Sequence, residues 1–189
     1  MNKPLSDDLE HLFDLFPSTV GRDLKLNFKK IIEGGNLNEA ESSLVALAAA
    51  TSVGLIPLIS AARARLTALN FTEDEIQEAA ESAAIMGMLN TYYRFRHMLT
   101  EETPDLMDQY RNVGLRMTSL AKPHIGKERF EMLAFTVSVL NGCQNCIVAH
   151  EKALRDSAVP IEKIHDLARM AAVIKGLRSL VDSKLGGAS

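Results

Sequence analysis

Cys143 and Cys146 are the only two cysteines in a chain of 189 residues. They stand in the stretch Asn141-Gly142-Cys143-Gln144-Asn145-Cys146-Ile147-Val148-Ala149-His150. Residues three and four apart share a helical face, so a helix starting about Cys143 lines up both sulfurs and His150. Unpaired amides and a partial positive charge at such a helix start stabilise a thiolate. His150, one turn beyond Cys146, can take its proton, and an imidazole in that role needs a third group to fix its tautomer. Glu131 fits that part if Asn141-Gly142 folds two helices back on each other. It precedes Asn141 by ten residues and His150 follows Gly142 by eight, so the two meet across the hairpin. The pattern reads as a relay from Glu131 to His150 to Cys146, with Cys143 alongside to close a disulfide.

Other readings of the same residues stand beside this one. C-x2-C-x3-H offers zinc three ligands, and with no second C-x2-C or H-x3-H pair the fourth would be Glu131 or a distant histidine. A pair of cysteines can also be inert core, because free cysteine is among the most buried residue types. Taken alone, Glu131 would be a solvated helix-face carboxylate. The tract Tyr92-Tyr93-Arg94-Phe95-Arg96-His97 reads as the close of a long helix, its basic residues complementing the helix dipole and its aromatics packing in the core. Its functional reading is a basic lining or a subunit contact near the thiols. His11, His124 and His165 have no evident ligand partners and read as surface or capping residues.

The elements that must position these groups are helices. Apolar residues recur at helical spacing and period-two alternation is never sustained, so the expected fold class is all-α, as one domain over 1–189. Aromatics are only 5% of the chain, which also favours helix over sheet. Expected helices are Asp23 to Ile32, Glu41 to Ala50 after Asn38, and a long one opened by the capping box Thr72 and Glu75. Three more follow: Lys127 to Leu140, about Cys143 to Asp156, and one from Pro160 past Val181. The tail at 186–189 is expected to fray. An internal repeat of about 36–98 and 126–183 is expected, in which a shift of ninety pairs Glu41 with Glu131 and Arg65 with Arg155. A shift of 88 pairs Ile76 with Ile164, Ala80 with Ala168 and Leu89 with Leu177. Val53, Ile56 and Ser60 then stand where the second unit has Cys143, Cys146 and His150, so the chemistry sits in one copy.

A net charge of −3 gives no broad basic surface for nucleic acid. The N-terminus carries Asp7, Asp8, Glu10 and Asp14 in place of a basic and then apolar signal, which points to a cytoplasmic protein. Two close thiols in a reducing compartment indicate redox or metal chemistry rather than structural staples. Ser42 to Ala62 is free of charge and long enough to span a bilayer, but Pro57 interrupts it, and a buried helix pair divided near Gly54 or Pro57 is expected there in place of a membrane span.

Phe130-Glu131-Met132-Leu133-Ala134-Phe135-Thr136-Val137-Ser138, running into Asn141 to Glu151, resembles AhpD-type alkyl hydroperoxide reductases of the carboxymuconolactone decarboxylase-like superfamily. The likeness extends to Asp23 to Asn27, Ala84 to Met88, Asn90 and Tyr93-Arg94, and covers nearly the whole chain. It implies an AhpD-like helical fold, a homotrimer, and reduction of an AhpC-type peroxiredoxin with some peroxidase activity. Electrons would come from dihydrolipoamide, carried on a lipoylated acyltransferase subunit served by dihydrolipoamide dehydrogenase, with no cofactor bound to the chain itself. Carried over residue by residue, Cys146 forms the sulfenic acid, activated by His150 and Glu131, and Cys143 is the proton donor that also forms the mixed disulfide with AhpC. Asn145 departs from members with His at that position, which leaves the detail of the relay open. Helix position makes Cys143 the more exposed thiol and Cys146 the one placed for a small peroxide. A lactone decarboxylase, also found in the superfamily, and a redox-sensing adaptor whose disulfide switches binding are the alternative functions.

Overall fold

The computed structural model describes residues 5–185; the expected frayed tail at 186–189 lies outside them. Eight α-helices and three short 3₁₀ turns carry the fold, with no strand among the described residues. In chain order they are α1 (Glu10–Asp14), α2 (Thr19–Gly34), α3 (Glu39–Val53), α4 (Ile56–Ala68), α5 (Glu73–Glu102), α6 (Lys127–Asn141), α7 (Gln144–Asp156) and α8 (Ile161–Leu185). Capping sets several of the starts. The Ser18 hydroxyl accepts the Gly21 amide at 3.1 Å, so α2 begins at Thr19, ahead of the expected Asp23. Asn38 and Glu41 form a reciprocal capping box at α3, with both bonds 2.9 Å long. Thr72 and Glu75 do the same at α5, as the sequence indicates.

Two expectations about the long helices need correction. The Tyr92–His97 tract does not close α5, which runs on to Glu102 before Pro104. No breaker intervenes between them, and His97 pairs with Glu101 one turn on at 3.4 Å. The second correction concerns register. The elements recur at a single displacement of 88 residues: α3 onto α6, α4 onto α7, and the start of α5 onto the start of α8. Gly54 and Gly142, which end α3 and α6, are both left-handed (φ 72° and 64°), and so are Asn70 and Ala158 (φ 63° and 61°). The shift of ninety for the first helices does not match these boundaries, because identities on Ala-rich helices tolerate a slip that helix ends do not. Opposite Cys143, Cys146 and His150 therefore stand Leu55, Leu58 and Ala62, and opposite Glu131 stands Ser43.

α3 and α6 form the centre. α3 packs on α4, α5, α6 and α8, and α6 on α5, α7, α3 and α8. Every residue of α3 from Glu41 to Ala50 is buried. Its small side chains let neighbours approach, and the Ser42 and Ser43 hydroxyls return to the Glu39 carbonyl at 3.2 and 2.7 Å, which satisfies both buried groups. The apolar run at 42–62 is thus two helices broken at Gly54, and no described helix is long and apolar enough to cross a membrane.

One buried carboxylate ties the last helix to the loop before α3. Asp166 on α8 is 1% exposed. It accepts the Asn36 backbone N–H at 2.7 Å, the Asn36 side-chain amide at 2.8 Å and Arg169 at 2.9 Å. Burial pushes its pKa up, but the bonds from Asn36 and Arg169 outweigh this and hold it below the ordinary aspartate value. With the folded value depressed, the contribution to stability is present above the unfolded aspartate range and is lost as pH falls through the folded value. Asp166→Asn is expected to cost about 2 kcal/mol at neutral pH, as a charged acceptor of buried donors is lost. Urea titrations between pH 7 and pH 3 should show the gap between variant and wild type closing on acidification; a constant gap would refute this account.

Candidate active site

The reversal at Gly142 builds the site. With Gly142 left-handed, the Cys143 N–H turns back to the Ser138 carbonyl at 3.2 Å and Cys143 becomes the N-cap of α7. Cys146 lies in the first turn of that helix, and the two cysteines are joined in a disulfide with their Cα atoms 5.3 Å apart. Because α7 folds back along α6, Glu131 and His150 meet as the hairpin requires: His150 Nδ1 is 2.7 Å from Glu131 Oε2. A carboxylate acceptor keeps the proton on Nδ1 and leaves Nε2 as the free base. The pair is part-buried, the side chains being 22% and 19% exposed.

Cys146 and His150 share a cavity of about 430 Å³ with Glu131 and Asn145. α5 contributes Met86, Leu89 and Tyr93 to its wall, and the segment between α5 and α6 adds Met117, Leu120 and Pro123. This lining was not visible in the sequence, since the segment has no helical or strand period to mark it. Cys143 does not line the cavity. It is 1% exposed and Cys146 8%, which reverses the expectation that Cys143 is the more accessible sulfur. The left-handed turn tucks the N-cap residue against the end of α6, whereas the third residue of α7 faces outward into the cavity.

A buried polar cluster holds the turn. Asn90 of α5, 1% exposed, donates to the Ser138 hydroxyl and accepts from the Asn141 side-chain amide, both at 2.9 Å. Arg94, one turn on, donates to the Asn141 carbonyl at 2.7 Å. The tract around Tyr92 therefore does reach the thiols' surroundings, with Tyr93 in the cavity wall and Arg94 capping the helix that precedes them. The remaining histidines fit their surface reading: His11, His124 and His165 are exposed. In the disulfide-linked state neither sulfur is a thiolate ligand, and among the described residues no group of three His, Cys, Asp or Glu is placed to hold a metal.

The segment over the cavity is pinned at one point. The two carboxylate oxygens of Glu78 on α5 accept the backbone N–H groups of His124 and Ile125 at 2.9 and 2.8 Å. Ile125 is 3% exposed beside them, and Pro123 reaches the cavity from this anchor. Glu78→Ala removes both acceptors, and bonds to a charged group contribute about 1.5–3 kcal/mol each. Amide exchange at His124 and Ile125 is expected to quicken at least tenfold, while amides of α3 keep their protection. Equal exchange in both proteins would show that the segment is held by its apolar contacts alone.

Comparison with known proteins agrees with this geometry. Residues 104–183 match the carboxymuconolactone decarboxylase family. The chain is 39% identical over 160 residues to alkyl hydroperoxide reductase AhpD of Mycolicibacterium smegmatis, covering 82% of this chain and 85% of the relative. It is 36% identical over 153 residues to the AhpD of Anaeromyxobacter dehalogenans, covering 81% and 80%. With the AhpD of Bradyrhizobium sp. strain ORS 278 it shares 34% identity over 177 residues, 93% of each chain. Alike over most of its length to these proteins, and all-helical with a disulfide-forming cysteine pair, the chain belongs to the AhpD family.

Proposed function

We propose that the protein is an antioxidant thiol oxidoreductase: an alkyl hydroperoxide reductase whose Cys143–Cys146 dithiol reduces an AhpC-type peroxiredoxin and, more weakly, hydroperoxides directly. The observation that carries the reading is a redox-linked cysteine pair at a helix start, with Cys146 opening into an apolar cavity beside the Glu131–His150 pair. The names of the AhpD relatives support the peroxide chemistry.

In the reduced protein, His150 Nε2 takes the Cys146 proton while Glu131 balances the imidazolium. The Cys146 thiolate attacks one peroxide oxygen of ROOH, the O–O bond breaks, and ROH leaves with a proton donated by Cys143. Cys146 is then a sulfenic acid. The Cys143 sulfur displaces its hydroxyl as water and the disulfide closes, so two thiols and ROOH have become a disulfide, ROH and water. Dihydrolipoamide on a lipoylated acyltransferase subunit, kept reduced by dihydrolipoamide dehydrogenase, returns two electrons and two protons and becomes lipoamide. With AhpC as acceptor the same dithiol reduces the AhpC disulfide. The mixed disulfide expected at Cys143 would require the buried start of α7 to open, whereas Cys146 already faces the cavity. We therefore assign the first contact with an incoming sulfur to Cys146. Asn145, also in the wall, stands where some members have His, and leaves His150 as the base for this step.

A homotrimer is part of the same reading. Phe95 and Met98 on α5 are 42% and 62% exposed and Val148 on α7 62%, apolar surface that further copies would cover. Sedimentation at micromolar concentration is expected to report three chains; a monomer would remove this element.

The relay is tested by thiol chemistry. In a Cys143→Ser background, which isolates Cys146, Glu131→Gln is expected to move the rise of alkylation rate to higher pH. In the intact dithiol protein it should lower peroxidase turnover by about 10²-fold, and His150→Phe by at least as much. The double variant should resemble the worse single one, since both disable one proton path. Unchanged alkylation and turnover in Glu131→Gln would return Glu131 to a structural role. Continuous peroxide consumption with dihydrolipoamide, in place of a single stoichiometric oxidation, separates a catalyst from a sensor.

A further inference from the structure

The cavity over Cys146 has an apolar wall of Met86, Leu89, Met117, Leu120 and Phe130, and at its edge one cation that no internal contact explains. Lys127 lines it from the first residue of α6, and Phe130 and Glu131, three and four residues on, line it from the same helical face. The other charged side chains of the wall, Glu131 and His150, are engaged with each other at 2.7 Å. Lys127 and Glu131 hold the spacing of a helical ion pair, but the carboxylate faces His150, and Lys127 takes part in none of the ion pairs among the described residues. The lysine is exposed, so its stem can lie along the apolar wall while the ammonium stays at the mouth.

A volume of about 430 Å³ falls in the range of small-molecule sites. Met86, Leu89, Met117 and Leu120 ask for an alkyl chain, which methionine walls accommodate in several shapes. An unpaired ammonium at the edge asks for an anion on that chain. A single lysine, one turn from a carboxylate, suits a monoanion better than a phosphate dianion, which Glu131 would repel. We infer that the cavity selects hydroperoxides whose alkyl chain carries a carboxylate, with Lys127 as the specificity-determining residue. The chain lies along the methionine and leucine wall, the carboxylate meets the Lys127 ammonium, and the peroxide group is left to Cys146 and His150. The inference rests on the peroxidase reading for its chemistry, but its binding half is open to a test that needs no turnover.

Decanoate and decanol, which share a chain and carry no peroxide, are titrated against the rate at which iodoacetamide alkylates Cys146 in the reduced protein, read by mass spectrometry. Decanoate is expected to protect at lower concentration than decanol. The ratio of the two should fall about fivefold in Lys127→Met, be retained in Lys127→Arg, and shrink as salt is raised. A ratio near one in the wild type, or one that Lys127→Met leaves intact, overturns the inference. Turnover of a hydroperoxy fatty acid is then compared with that of its methyl ester, and a KM advantage for the acid that Lys127→Met abolishes supports it further. No turnover of either, alongside a Lys127-dependent protection ratio, would overturn the peroxidase reading while supporting the carboxylate site.

Discussion

The structure of the site depends on one backbone constraint, the left-handed conformation of Gly142. An L-residue there would place its Cβ against its own backbone, at a cost of about 1–2 kcal/mol. No neighbouring atom lies within 4 Å of a Cβ built at Gly142, so the demand for glycine is set by the dihedral angle and not by crowding. That single reversal ends α6, starts α7 two residues later and folds it back antiparallel. The meeting of Glu131 and His150, the N-cap position of Cys143 and the outward face of Cys146 all follow from it. Asn90 and Arg94 on α5 secure the turn from outside through Ser138 and Asn141. The polar cluster thereby carries the orientation of a neighbouring long helix into the geometry of the thiols.

The first half of the chain contains the same turn without the chemistry, and the comparison shows what makes a site. Gly54 is left-handed like Gly142, and Leu55 N–H returns to Ala50 as Cys143 N–H returns to Ser138. At the equivalent positions, however, Leu55, Leu58, Ala62 and Ser43 are all fully buried. The N-terminal 3₁₀ turn Asp7–Leu9 packs on α4, with Leu5 and Leu9 each 1% exposed, and the Arg65 guanidinium on α4 binds Asp8 and Glu39. Beside α7 the segment carrying Met117, Leu120 and Pro123 instead borders a cavity where the first unit has buried core.

What could be read from the sequence follows from how local the signals are. The capping box at Thr72, the stop at Gly142 and the i, i+4 placement of Cys146 and His150 on one face need only a few neighbouring residues, and they appear in the structure; Cys143, as the N-cap of α7, falls outside that face, and of the two breaks offered by Gly54 and Pro57 the structure takes Gly54. The pairing of Glu131 with His150 was legible because one short turn separates the helices that carry them. Features that depend on distant partners were not. Whether Cys143 or Cys146 is covered depends on how the turn packs against α6, which no spacing encodes. The cavity wall between α5 and α6 comes from irregular chain held by Glu78, far away in sequence, and has no period to reveal it. The early start of α2 and the extension of α5 past His97 belong to a third kind, where helix ends are set by caps and breakers one turn beyond the apolar stripe.

The unequal burial of the two sulfurs has a chemical consequence for both halves of the proposed cycle. Exchange rates depend on which sulfur is attacked and on how well the departing thiolate is stabilised. With the assignment proposed above, a thiol attacking the disulfide at Cys146 would expel Cys143, at the N-cap of α7 where the unpaired amides and helix dipole favour negative charge. In the dithiol state the same helix end favours a thiolate on Cys146, aided by His150, when a peroxide is the partner. One electrostatic feature thus assists a nucleophile in oxidation and a leaving group in regeneration, which a symmetric and equally exposed pair could not divide between two residues. In that proposed cycle the burial of Cys143 would keep the leaving sulfur away from solvent and within reach of Cys146, so that the disulfide could close again after each reduction of a peroxide.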